Sequence, residues 1–163
     1  MNHFLNKVVG FEELQSQVED WKKASLRVVF TNGCFDMFHP GHLSLLDRAS
    51  QFGERLIVAI NANMSVKKLK GENRPIFDEI ERVKTVAALQ FVDAVILFSD
   101  ETPLKLIEAC LPDVLVKGGD YQHSNIVGAD VVLSNGGKIE IVPLREGYST
   151  SQIIERLSKS KSK

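Results

Sequence analysis

The residues best suited to chemistry stand together in one stretch, Thr31-Asn32-Gly33-Cys34-Phe35-Asp36-Met37-Phe38-His39-Pro40-Gly41-His42. Pro40 suits the first position of a helix, which makes His39 the N-cap. His39 and His42 are three positions apart, so both imidazoles project from one side of the helix entry. Histidine is a poor cap, so the first-turn N–H groups are expected to lack a side-chain acceptor. Free N–H groups, the positive end of a helix dipole and two imidazoles describe a polyphosphate site. Gly41 lets another group approach the backbone closely. The plainer alternative is a capping histidine beside a surface histidine. The H-x-G-H spacing after a strand and a glycine turn favours the phosphate site. A metal site at His39 and His42 lacks a third ligand nearby in sequence.

Further candidates fall where strands should end, the place at which open α/β sheets bind ligands. Residues 61–75 are long, polar and basic, with Lys67, Lys68, Lys70 and Arg74. They read as a loop, either a phosphate lid or a solvated connection. Lys117-Gly118-Gly119-Asp120 ends another strand, and its glycines suit close backbone approach to a ligand. Asp120 is either an acceptor for a sugar hydroxyl or a turn residue. Ser149-Thr150-Ser151 can cap a helix and donate to a phosphate at its N-terminus.

A frame must hold these groups, and the apolar runs supply it. Strands are read near 27–32, 55–60, 94–97, 114–116 and 139–142. Helices are read at 11–24, from Pro40 to about Phe52 with Gly53 as terminator, and after Thr102-Pro103 to Cys110. Others span 125–135, closed by Gly136-Gly137, and run from Ser151 to about Leu157. Asp78 and Glu81 fit a capping box opening a helix to about Leu89, with Ile80, Val83, Val86 and Ala87 inward and Arg82 aboard. In the first helix, Phe11, Leu14, Val18 and Trp21 share a stripe that packs against the domain or a partner subunit. The fold expected is α/β, a Rossmann-like open parallel five-stranded sheet with helices on both faces. Residues 1–163 make one domain, with 1–25 a helical appendage and 158–163 a disordered tail.

The 163 residues carry a net charge of −1, which gives no global basic surface for nucleic acid. Hydrophobic content of 44% is that of a globular core, and no apolar run approaches membrane-spanning length. Cys34 and Cys110 have no metal-type spacing and are not expected to form a disulfide, which fits a cytoplasmic location. The N-terminal residues lack a signal-peptide pattern.

His39-Pro40-Gly41-His42 and Gly33-Cys34-Phe35-Asp36 resemble the signature and turn of the HxGH nucleotidyltransferase superfamily. That resemblance implies a Rossmann-like fold and transfer of a nucleoside monophosphate from a nucleoside triphosphate. Lys68-x-Lys70, Gly118-Gly119-Asp120-Tyr121 and Gly147-x-Ser149-Thr150 are similar to its cytidylyl/adenylyl branch. The runs Leu69-Lys70-Gly71 with Arg74-Pro75, Leu115 to Tyr121, and Ser134-Asn135-Gly136-Gly137 look like the heptose 1-phosphate adenylyltransferases. Their activity moves AMP from ATP to D-glycero-β-D-manno-heptose 1-phosphate, giving ADP-heptose and pyrophosphate for lipopolysaccharide core biosynthesis. Such enzymes occur alone or fused to a kinase, and this length suggests the stand-alone form. Glycerol-3-phosphate cytidylyltransferases carry an arginine where this chain has Leu144, which favours adenine over cytosine. The resemblance implies catalytic roles for His39, His42, Lys68 and Lys70. It implies ATP contacts at Asn32, Gly33, Cys34, Phe35, His39, Gly41, His42, Lys70, Lys117, Gly118, Asp120, Ser149 and Thr150. Asp36, Lys68, Arg74 and Arg82 are expected to contact the acceptor. Mg²⁺ would come through the ATP phosphates, with no protein metal ligands. The partners expected are small molecules, with no nucleic acid, no membrane and a homodimeric assembly. The alternatives are a cytidylyl- or adenylyltransferase for glycerol 3-phosphate or another phosphorylated acceptor, and a non-catalytic nucleotide-binding module.

Overall fold

The computed structural model describes residues 3–119, 125–143, 145 and 147–160. Five strands, β1 (Val28–Gly33), β2 (Arg55–Asn61), β3 (Ala94–Phe98), β4 (Val114–Gly118) and β5 (Lys138–Val142), form one parallel sheet ordered β3-β2-β1-β4-β5. Val28, Val29, Phe30, Ile57, Val58 and Leu115 are fully buried, as expected of parallel strands covered on both faces. The alternation of β1 divides the core. Val28 and Phe30 face α1 (Phe11–Lys23), α5 (Leu104–Cys110) and α6 (Ala129–Ser134), whereas Val29 faces α2 (Pro40–Ser50) and α4 (Glu79–Ala87).

The order of the strands positions the site. From β1 the chain steps outward to β2 and β3, then crosses back to place β4 and β5 on the other side. The direction reverses between β1 and β4, and a crevice opens there at the carboxyl ends. All the helical connections open or close at that end or at its opposite.

Several elements differ from the sequence reading. Residues 61–75 are not all loop: Asn63–Lys70 form α3, a helix of two turns. Ser65 and Val66 turn inward while three lysines line the outside, and so short an apolar repeat is hidden among the charges. Gly71, at φ 97, ends it. Residues 125–128 lie outside α6, which begins after Gly128 in the left-handed region. Its end is a Schellman motif, with Gly136 N–H on Leu133 O and Gly137 N–H on Val132 O. The last helix, α7 (Thr150–Ser160), runs on through Ser158, Lys159 and Ser160, part of the stretch expected to be disordered. Gly53 is not a left-handed terminator. A Cβ there would stand 2.7 Å from the Arg27 carbonyl oxygen, so close packing against the start of β1 demands glycine. Phe11 and Ile80, expected to face inward, are exposed, and on α4 the inward positions are Arg82, Val83, Val86 and Ala87. Leu14 and Val18 of α1 are buried in the chain's own core, so that stripe covers the sheet.

Candidate active site

The turn after β1 is tighter than the sequence suggested. Asn32 and Gly33 remain in the strand, and the reversal is made by Phe35 and Met37, both at φ 48. Left-handed conformations at such residues cost of order 1–3 kcal/mol and persist where the surroundings over-determine them. Gly33 leaves space for a different contact: a Cβ there would stand 3.1 Å from the Phe35 ring, which would have to shift by a few tenths of an ångström. Phe35 in turn packs edge-on against His42, with centroids 5.3 Å apart.

His39 caps α2 with its side chain, contrary to the expectation from residue type. Its Nδ1 accepts from Gly41 N–H at 3.1 Å and His42 N–H at 3.3 Å. A ring nitrogen that accepts two N–H groups carries no proton, so the neutral imidazole of His39 has its proton on Nε2. The His42 ring stacks on it, with centroids 3.7 Å apart and planes 20° from parallel. Burial lowers the pKa of His39. Burial, and then the neighbouring His39, lower that of His42 to about 4. Both rings are therefore neutral at pH 7 in the free protein, and act as positioned N–H donors rather than as cations. Gly41 admits two neighbours at once: a Cβ would lie 2.8 Å from the Tyr148 carbonyl oxygen and 2.9 Å from His39 Cε1.

Around these rings lies a cleft of about 500 Å³. It gathers Asn32, Gly33, Cys34 and Phe35 from the end of β1, Lys117 and Gly118 from β4, and Ser149 and Thr150 from the start of α7. Asp36, Lys70 and Arg74 line it from the other side. The Lys117 ammonium rests against the Asn32 side-chain oxygen. Burial pushes the Lys117 pKa down to about 8, because a buried cation is costly. Ser149 Oγ accepts from Gln152 N–H at 3.2 Å and so caps α7. Thr150 Oγ1 donates to the Asp36 carbonyl at 3.3 Å, tying α7 to the turn.

Two expected residues stand elsewhere. Lys68 is exposed and does not line the cleft. Positions two apart on a helix point to opposite sides, so α3 delivers Lys70 and turns Lys68 away. Arg82 lies beneath the site, only 1% exposed. Its guanidinium donates to Cys34 O at 2.6 Å, Asn63 Oδ1 at 3.0 Å and Phe77 O at 3.1 Å. It fastens the turn, α3 and the 71–78 segment together and is not placed to meet an acceptor. Asp120 falls outside the described residues, as do Tyr121 and Leu144. Asp36 lines the cleft, but its carboxylate accepts from Ile76 N–H at 2.8 Å, Phe77 N–H at 2.9 Å and Arg74 Nε–H at 2.7 Å. Burial alone would raise its pKa; the Phe77, Ile76 and Arg74 bonds outweigh this and hold it below the usual carboxylate value. The cleft also contains Ser151, which the sequence reading placed in the phosphate-donating cap, and Leu45, Asn61, Leu69 and Tyr148, which it did not name as site residues. Asn61 had a signal, since it ends the strand beside β1; Tyr148 enters through its backbone, which residue type does not announce.

Among the described residues no three His, Cys, Asp or Glu side chains group to hold a metal, and Asp36, the one carboxylate lining the cleft, is fully engaged.

The cytidylyltransferase-like family model matches residues 30–156. The chain is 55% identical over 150 residues to the bifunctional protein HldE of Koribacter versatilis, covering 92% of this chain and 31% of that protein. It is 51% identical over 149 residues to the HldE of Azorhizobium caulinodans, covering 91% of this chain and again 31% of the relative. It thus spans about a third of the length of these curated relatives. Among solved structures, the lipopolysaccharide core biosynthesis protein of Thermoplasma volcanium superposes with a TM-score of 0.59 at 27% identity, over 76% of this chain and 99% of that one. A pantoate–β-alanine ligase of Francisella tularensis shares the fold, with a TM-score of 0.62 at 14% identity, over 86% of this chain and 68% of that one. The matched span runs from the middle of β1 into α7 and contains the whole cleft, so this chain belongs to the cytidylyltransferase-like family of nucleotidyltransferases.

Proposed function

We propose that this chain transfers AMP from ATP to D-glycero-β-D-manno-heptose 1-phosphate, forming ADP-heptose and pyrophosphate for lipopolysaccharide core biosynthesis in the bacterial cytoplasm. The observation that carries the transfer is the stacked His39–His42 pair at the mouth of α2, in one cleft with Lys70, Arg74 and Lys117. The acceptor is supported by its HldE-named relatives and by the runs around Arg74, Lys117 and Asn135. Adenine is supported by Leu144, where the cytidylyltransferases carry arginine.

The chemistry needs no protein nucleophile and no protein base. A sugar 1-phosphate has its second pKa near 6 and is an anionic nucleophile at neutral pH. Its oxygen forms a bond to the α-phosphorus in line as the bond to the leaving pyrophosphate breaks. His39 offers Nε2–H to the oxygen on which charge develops, its orientation fixed by the two backbone N–H groups on Nδ1. Lys117 at the floor and the N-terminus of α7 receive nucleotide charge, and Mg²⁺ supplies further charge neutralisation as part of the nucleotide.

Pyrophosphate release from purified protein with Mg²⁺ and heptose 1-phosphate, comparing ATP with CTP, tests this. Release with ATP is the expected result. Release with CTP overturns the choice of base, and release only with glycerol 3-phosphate overturns the acceptor. ATP binding with no release on any phosphorylated acceptor identifies a nucleotide-binding module instead.

A further inference from the structure

We propose that Asp36 is a positioning residue, which holds Arg74 by Nε so that the two terminal guanidinium nitrogens grip the acceptor's phosphate. The proposal rests on the transferase reading and names the group that recognises the second substrate.

Asp36 is 1% exposed and the Arg74 side chain 16% exposed, so the pair is shielded yet borders the cleft. The Arg74 bond is to Nε alone. Among the described residues, Nη1 and Nη2 of Arg74 make no hydrogen bond, although they belong to a guanidinium fixed at its base. A planar fork anchored on one edge and open on the other matches a phosphomonoester in two parallel bonds. Asp36 itself accepts from three of the protein's own donors. The 74–77 segment is held from below as well, by Arg82 on Phe77 O. Arg74 is therefore set before any ligand arrives.

The cleft has two halves. On the β4 side lie Lys117 and the N-terminus of α7, whose first-turn N–H groups suit a polyphosphate. On the β2 side lie Arg74 and Lys70, and there α3 presents its last turn rather than its first. Two side-chain cations, Arg74 and Lys70, meet an anion in that half. A dianionic monoester carries the charge that two such cations complement.

Initial rates with ATP and heptose 1-phosphate varied in turn, on wild type, Asp36→Asn and Arg74→Met, test this. The Michaelis constant for the sugar phosphate should rise roughly 10- to 100-fold in both variants, the scale of lost charged hydrogen bonds. The constant for ATP should stay within about twofold. Added guanidinium ion should restore turnover in Arg74→Met, which a merely structural role would not permit. An equal rise for ATP would assign Arg74 to the triphosphate and overturn the proposal. Calorimetric titration of inorganic phosphate, with ATP titrated separately, makes the test independent of turnover. Loss of phosphate binding in Arg74→Met with ATP affinity kept supports the subsite even if heptose 1-phosphate proves not to be the acceptor. Phosphate binding unchanged in Arg74→Met, or absent from wild type, overturns it.

Discussion

His42 shows how a single side chain is tuned by what surrounds it. Its Nδ1 is buried without a partner among the described residues, and another imidazole lies stacked against it. Both circumstances oppose the charged ring. The folded pKa of about 4 lies below the ordinary 6.5. Between those values the unfolded chain binds a proton that the native chain refuses, so stability is complete above about pH 6.5 and declines as the pH falls toward 4. The lowered pKa of His39 acts in the same direction. Urea midpoints measured from pH 7.5 to 4.5 should therefore fall for wild type, with a clearly shallower slope for His42→Asn. At pH 7.5, His42→Ala should reduce kcat about 10²- to 10³-fold, the cost of losing one preorganised donor. Turnover near wild type in purified His42→Ala would remove the ring from the mechanism.

At the scale of elements, the site depends on where helices begin and how tightly turns close. The α2 N-terminus is sealed by its own histidine, and Gly41 lets the Tyr148 carbonyl settle against the first turn. Backbone oxygen cannot step aside as a flexible side chain does. Gly41→Ala should cost about 1–3 kcal/mol in denaturant unfolding through overpacking. It should also lower kcat at least tenfold, because the added methyl displaces the His39 ring. The α3 helix makes the same point from the other direction. Read as a loop, residues 67–70 would offer both Lys68 and Lys70 to the cleft; wound into a helix, they offer one.

Across the whole molecule, a sheet buried on both faces places one rigid edge of carboxyl ends beneath the cleft. Phe30 sits at the centre of β1, fully buried, on the face covered by α1, α5 and α6. Phe30→Ala should lower unfolding free energy by about 3–5 kcal/mol. With acceptor and ATP saturating, kcat measured well below the melting temperature should change far less than in Gly41→Ala. An equally large loss of kcat would show that the core strand and the turn move as one unit.

The continuous apolar runs, the glycine and proline punctuation and the H-x-G-H spacing were enough to identify five parallel strands, the helices between them apart from α3, and the stretch that carries the chemistry. Those features are local, since hydrophobic period and turn chemistry act over a few residues. Tertiary structure decided what depends on contacts between distant segments. It paired Asp36 with Arg74, 38 positions along the chain. It buried Arg82 under Cys34 and gave His39 two backbone donors that hold its ring neutral. A charged residue's type says that it will seek partners; only the assembled chain determines whether those partners are the protein's own groups or a ligand's.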